Sequence, residues 1–118
     1  MIDKLFDAEL GLMEIIWEQE PISAKDISVI AAEQFQWNKN TTYTVIKRLI
    51  KKGAILRKEP GFLCSSLVKR DDIRMSETKS LIEKFFGGSK KAFFSAFADE
   101  KLTDEEIETL KALIEEKR

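Results

Sequence analysis

Asn38-Lys39-Asn40-Thr41-Thr42-Tyr43-Thr44-Val45-Ile46-Lys47-Arg48-Leu49-Ile50-Lys51-Lys52-Gly53 is the stretch on which the reading of this chain turns. Thr42, Val45, Ile46 and Leu49 recur at i, i+3, i+4 and i+7, the spacing of one core-facing helix stripe. The opposite surface carries Lys39, Asn40, Tyr43, Thr44, Lys47 and Lys51. Asn38 can cap the start through its side-chain oxygen. At the far end, cations meet the negative end of the helix dipole and Gly53 can adopt a positive φ.

Upstream, Phe35-Gln36-Trp37-Asn38 is too short for anything but a turn. Before it, Ser23-Ala24-Lys25-Asp26 offers a hydroxyl cap and an acid three residues on, with Ile27, Ile30 and Ala31 on an apolar face. This predicts a second helix reaching about residue 34. A first helix over about residues 8–19 follows from Leu10, Met13, Ile16 and Trp17, with Asp7 as its cap and Pro21 as its stop. Downstream, Ala54-Ile55-Leu56-Arg57-Lys58 and Phe62-Leu63-Cys64-Ser65-Ser66-Leu67 flank Glu59-Pro60-Gly61, which predicts a hairpin with a basic first strand. Helix, helix-turn-helix and hairpin make a winged helix-turn-helix head over residues 1–70.

Residues 71–118 are predicted to be helical. Asp71-Asp72 opens a run ending at Gly87-Gly88, residues 90–98 form a short segment, and Thr103-Asp104-Glu105-Glu106 is a capping box for a last helix. The expected fold class is mainly α with a small β-hairpin wing, and the tail is expected to be a helical dimerisation region. Its apolar residues Ile73, Leu81, Ile82, Phe85, Phe86, Phe93, Phe94, Phe97, Ile107, Leu110, Leu113 and Ile114 exceed what three short helices can hide within one chain. A symmetric partner is the natural cover for them. The acids at the starts of these helices suit the dipole and need no metal.

The formal net charge of -1 hides a strong asymmetry. Residues 1–38 hold two basic and eight acidic residues, net -6, and residues 71–118 hold nine basic and twelve acidic, net -3. Residues 39–70 hold nine basic residues against Glu59 alone, net +8. A polyanion would therefore be attracted to one segment and repelled by the others, which sets orientation as well as affinity. Asn40, Thr41, Tyr43, Thr44 and Lys47 can offer amide, hydroxyl, methyl and ammonium groups to base edges. Lys39, Arg48, Lys51, Arg57 and Lys58 suit phosphates. The expected partner is double-stranded operator DNA, and the rival is a winged-helix module that meets only proteins.

Other functions are disfavoured by composition. The chain has no histidine, no phosphate-binding loop and no convincing nucleophile-base pair, so an enzyme is not expected. Cys64 is the single cysteine, which rules out an intrachain disulfide and fits a reducing compartment. In a strand it reads as a small hydrophobe, and Trp17 and Trp37 read as core residues. No segment approaches eighteen apolar residues and no leader pattern opens the chain, so a cytoplasmic protein without cofactor or metal is expected.

Ala8-Glu9-Leu10, Met13-Glu14 and Ile16-Trp17, followed by Thr41 through Leu49 and Lys52-Gly53, resemble the penicillinase repressor family, which includes the methicillin-resistance and copper-responsive repressors. The similarity extends to Asp71-Asp72-Ile73 and to the Phe85-Phe86-Gly87-Gly88 break. The resemblance implies a winged-helix repressor that dimerises through its C-terminal helices on a short inverted repeat. It also implies control by a membrane sensor of beta-lactams, through a protease that cuts the tail and releases the dimer from DNA. By position the cut falls at Ala96-Phe97, although the family pattern has asparagine where this chain has Ala96. The copper-responsive branch ends in closely spaced cysteines, which this tail lacks.

Overall fold

The computed structural model describes residues 4–118. The elements are α1 (Asp7–Gln19), β1 (Ile22–Ser23), α2 (Ala24–Phe35), α3 (Lys39–Lys51), β2 (Ile55–Lys58), β3 (Leu63–Ser66), α4 (Arg70–Phe86), α5 (Lys90–Ala98) and α6 (Asp104–Glu116). The chain divides into two units, a head ending at Arg74 and a tail, Met75–Arg118. The predicted boundary fell four residues earlier.

Each head helix forms where its signals lie. Ser23 Oγ accepts from Asp26 N–H at 3.0 Å, and Asn38 Oδ1 accepts from Thr41 N–H at 2.8 Å. Gln36 takes a left-handed conformation at the end of α2, which completes the tight turn. At the end of α3, Gly53 adopts φ 77° while Ala54 N–H donates back to the Leu49 carbonyl at 2.9 Å, a glycine-closed helix terminus. The start of α1 differs from expectation. The N-cap is Phe6, and the Glu9 carboxylate reaches back to accept from Phe6 N–H at 2.8 Å.

Thr42, Val45, Ile46 and Leu49 of α3 are all buried, as their spacing predicts. They meet Leu12, Met13, Ile15 and Ile16 of α1 and Ala24, Ile27 and Ala31 of α2. Trp17 and Trp37 pack against this core, and Trp17 Nε1 donates to the Val68 carbonyl at 2.9 Å. The sheet has three antiparallel strands in the order β1-β3-β2, with Ile22 opposite Cys64 and Ile55 opposite Ser66. The third strand, β1, was not anticipated, because two residues are too few to show an alternating pattern. Glu20 fastens this edge by accepting from Ser66 N–H at 2.7 Å and from the Ser66 hydroxyl.

One expectation about the tail is corrected here. Ile73, expected at a dimer interface, is 7% exposed and belongs to the head core. The first turn of α4 is held in the head by Arg70, whose Nη2 lies 2.9 Å from Glu14 and 3.1 Å from Glu18. Within the tail, Ile82 is also buried, while Phe86 and Phe93 are half-buried and meet edge to face at 5.7 Å. Leu81, Phe85, Phe94, Phe97, Ile107, Leu110, Leu113 and Ile114 are exposed. No residue of α5 or α6 is buried.

A charged pair lies inside the head. Lys52 Nζ sits 2.6 Å from Glu9 Oε1 and donates to the Lys4 carbonyl at 2.7 Å, 4.5 Å from the centre of the Phe6 ring. The side chains of Lys52 and Glu9 are 16% and 2% exposed. Removing one member strands the other charge in a dry site, at a cost of about 3 kcal/mol. Lys52→Ala should therefore lower stability in urea denaturation by about that amount. A Glu9→Leu, Lys52→Met double variant should lose less than either single one, because two apolar side chains need no counter-charge.

Candidate nucleic-acid interface

The interface is built on α3, β2 and the turn joining β2 to β3. Burial of Thr42, Val45, Ile46 and Leu49 turns the other faces of α3 outward. Lys39, Asn40, Thr41, Thr44, Lys47, Arg48 and Lys51 are all exposed, and Tyr43 is half-buried. Arg57 and Lys58 are exposed on β2. All ten expected contact residues therefore reach solvent from two adjoining elements.

Their local chemistry separates them. Thr44 Oγ1 donates to the Asn40 carbonyl at 2.9 Å, which spends its hydroxyl hydrogen and leaves an acceptor lone pair and a methyl group to present. Lys39 Nζ lies 5.7 Å from the centre of the Tyr43 ring. Unlike α1, α2 and α6, α3 has no acid in its first turn and begins instead with Lys39. A lysine at the positive end of the dipole is poor for an isolated helix and attractive to an anion.

Two of the nine cations of residues 39–70 do not serve this face. Lys52 is turned inward to Glu9, and Arg70 is held by Glu14 and Glu18. The other seven are exposed: Lys39, Lys47, Arg48, Lys51, Arg57 and Lys58 belong to α3 and β2, and Lys69 lies in the segment between β3 and α4. The inward turn of Lys52 was hidden in a sequence where Lys51 and Lys52 look equivalent. A signal was present at the other partner: Glu9 is followed by Leu12, Met13 and Ile16 at i+3, i+4 and i+7, a charge on an apolar stripe.

At the wing tip, Arg57 donates through Nε to Glu59 Oε1 at 2.7 Å, with Nη2 2.6 Å from the same oxygen. Its guanidinium carbon lies 3.6 Å from the centre of the Phe62 ring. Glu59 Oε2 accepts from Phe62 N–H at 3.1 Å. That bond, with the Arg57 charge, holds the Glu59 carboxyl below its ordinary value. Behind it, burial pushes the Cys64 thiol up, against the opposing charge of Arg57. Cys64 is thus a buried small hydrophobe whose reactive thiolate is disfavoured at neutral pH.

A helix-turn-helix backed by a third helix and followed by a β-hairpin, which β1 extends to a three-stranded sheet, defines the head as a winged helix-turn-helix domain. The penicillinase repressor family model matches residues 5–116, and the chain belongs to that family. It is 36% identical over 110 residues to a penicillinase repressor of Staphylococcus aureus, covering 91% of this chain and 87% of that protein. It is 34% identical over 117 residues to the methicillin resistance regulatory protein MecI of Staphylococcus aureus strain N315, covering 97% and 95% of the two chains. The head is also similar in structure to the monomeric form of BlaI from Bacillus licheniformis, solved in solution with the blaP half-operator. That likeness has a TM-score of 0.55 at 30% identity and covers 61% of this chain and 90% of that one.

The pairing of Glu59 with the wing has a defined pH dependence. Because its folded value is depressed, the interaction is complete above the ordinary carboxylate range and is lost as pH falls through the lowered value. In an NMR titration the Phe62 amide proton should move with a midpoint below that of an unperturbed glutamate. A midpoint at the ordinary value would mean that the carboxylate is not held at the wing.

Proposed function

We propose that this chain is a transcriptional repressor that binds duplex operator DNA, with α3 in the major groove and the β2–β3 wing against the backbone. The observation that carries this reading is the single exposed face on which Asn40, Tyr43, Thr44 and Lys47 are surrounded by Lys39, Arg48, Lys51, Arg57 and Lys58, on a head similar to one bound to a half-operator. In this reading Asn40, Thr41, Tyr43, Thr44 and Lys47 meet base edges, and the five surrounding cations meet phosphates. The protein acts in the cytoplasm and has no catalytic task.

The tail joins two copies. Leu81, Phe85, Phe94, Phe97, Ile107, Leu110, Leu113 and Ile114 are an apolar surface that a single chain leaves in water, and a second copy would cover it. Two heads then address two half-sites about one helical turn apart, and the second contact forms at high effective concentration. Release belongs to the same proposal: in a pathway that answers beta-lactams, a protease cuts between Ala96 and Phe97. Both residues are exposed, but the bond lies inside α5, so local unwinding must precede cutting.

Binding to random duplex should weaken steeply with salt, because each phosphate contact releases counterions. A flat response would sink the DNA reading. With a selected operator, Tyr43→Ala and Lys47→Ala should reduce the preference over random duplex, whereas Lys58→Ala should weaken both DNAs alike. Equal effects on preference from all three would overturn the division of roles. Sedimentation at micromolar concentration should give a dimer, and Phe97→Glu with Leu110→Glu should shift it to monomer while the head stays folded.

A further inference from the structure

Phe62 touches both halves of this interface. Its ring meets Tyr43 of α3 edge on, with centroids 5.9 Å apart and planes at 85°, and the Arg57 guanidinium of the wing lies 3.6 Å from its centre. Its backbone is held at both ends: the N–H donates to Glu59 Oε2 at 3.1 Å, and the carbonyl accepts from Ala24 N–H at the start of α2 at 3.0 Å. Glu59 in turn holds Arg57, so ring, carboxylate and guanidinium form one closed group.

The backbone adds an independent observation. Phe62 sits at φ 50°, in the left-handed region, where a bulky side chain is strained and glycine or asparagine is the usual occupant. Gly61 beside it has φ 93° and suits its place. A large aromatic residue kept at a strained position marks a ring whose placement matters more than local comfort. The ring is half-buried and rests against the head core, which gives it a rigid seat.

We propose that Phe62 is a positioning residue that couples base reading by Tyr43 to phosphate binding by Arg57. This rests on the DNA roles given to those two residues above. Tyr43 and Arg57 lie on different elements and would otherwise adjust independently to DNA. With one ring between them, a shift of the Tyr43 phenol displaces the surface on which the guanidinium is stacked. The wing then grips the backbone best when the helix is seated on its bases.

A double-mutant cycle on operator affinity tests this. Tyr43→Ala and Arg57→Ala should each cost about tenfold, and together about thirtyfold where independent effects would give about a hundredfold. In a Phe62→Leu background the two substitutions should become additive, and the salt slope should already be shallower by about 0.9, the loss of one phosphate contact. Phe62→Tyr, which keeps the ring, should restore both the coupling and the slope. Additivity in the otherwise unaltered protein would overturn the coupling while leaving the roles of Tyr43 and Arg57 intact. Single substitutions without effect would overturn those roles, and the coupling with them. The first cycle needs no change at Phe62, so a poorly folding Phe62 variant leaves the question answered.

Discussion

The buried pair between Glu9 and Lys52 sets the geometry from which the rest of the head follows. Glu9 lies in the first turn of α1, and Lys52 follows the last residue of α3. Their 2.6 Å contact ties the start of one helix to the end of another 43 residues later. One carboxylate oxygen, Oε1, also accepts from Phe6 N–H, so the acid shapes its own helix terminus while holding the neighbouring helix. Such a pair adds little or no net stability over a well-packed apolar contact, because two charges must leave water. It does impose direction, since a charge has far fewer acceptable positions than a methyl group. With its C-terminal end pinned and Thr42, Val45, Ile46 and Leu49 buried, α3 presents its remaining face outward.

That constraint explains how an acidic protein can offer a basic surface. Glu9, Glu14 and Glu18 lie on α1, and they occupy Lys52 and Arg70 rather than opposing the cations of α3. Acid and base are thus sorted by helix, and the one acid of residues 39–70, Glu59, is itself engaged with Arg57. Six exposed cations of α3 and β2, with Arg57 paired to Glu59 among them, are left beside hydroxyl, amide and aromatic groups, an arrangement in which nonspecific attraction surrounds specific contact.

The tail obeys a different rule. Phe86, Phe93, Phe94 and Phe97 make ring contacts with one another, with Phe93 at the centre of three pairs, yet α5 and α6 bury nothing completely. Three short helices have too little volume to enclose their own apolar faces. The helices hold their ends through local bonds, as where Thr103 and Glu106 complete a capping box. Local capping gives the tail its helices, and much of its apolar surface stays exposed in the single chain.

Much of this could be read in the sequence because helix signals are local. The stripe Thr42, Val45, Ile46, Leu49 and the caps Ser23, Asn38 and Thr103 act within a turn of helix, so their meaning survives without tertiary context. The charge of residues 39–70 is likewise a property of the chain. Tertiary structure alone decided which of those charges faces outward, because Lys51 and Lys52 differ only in what lies opposite them. It moved Ile73 from the tail to the head core, since the apolar periodicity of a helix cannot reveal which unit its first turn meets. It also added β1, a strand that exists only because β3 supplies its hydrogen bonds, and it brought Phe62 between Tyr43 and Arg57. The chain by itself determined the order of its helices and hairpin and the basic face of α3, through interactions spanning a few residues. The inward lysine and the aromatic bridge required packing, because both depend on side chains that meet only after distant segments have been brought together.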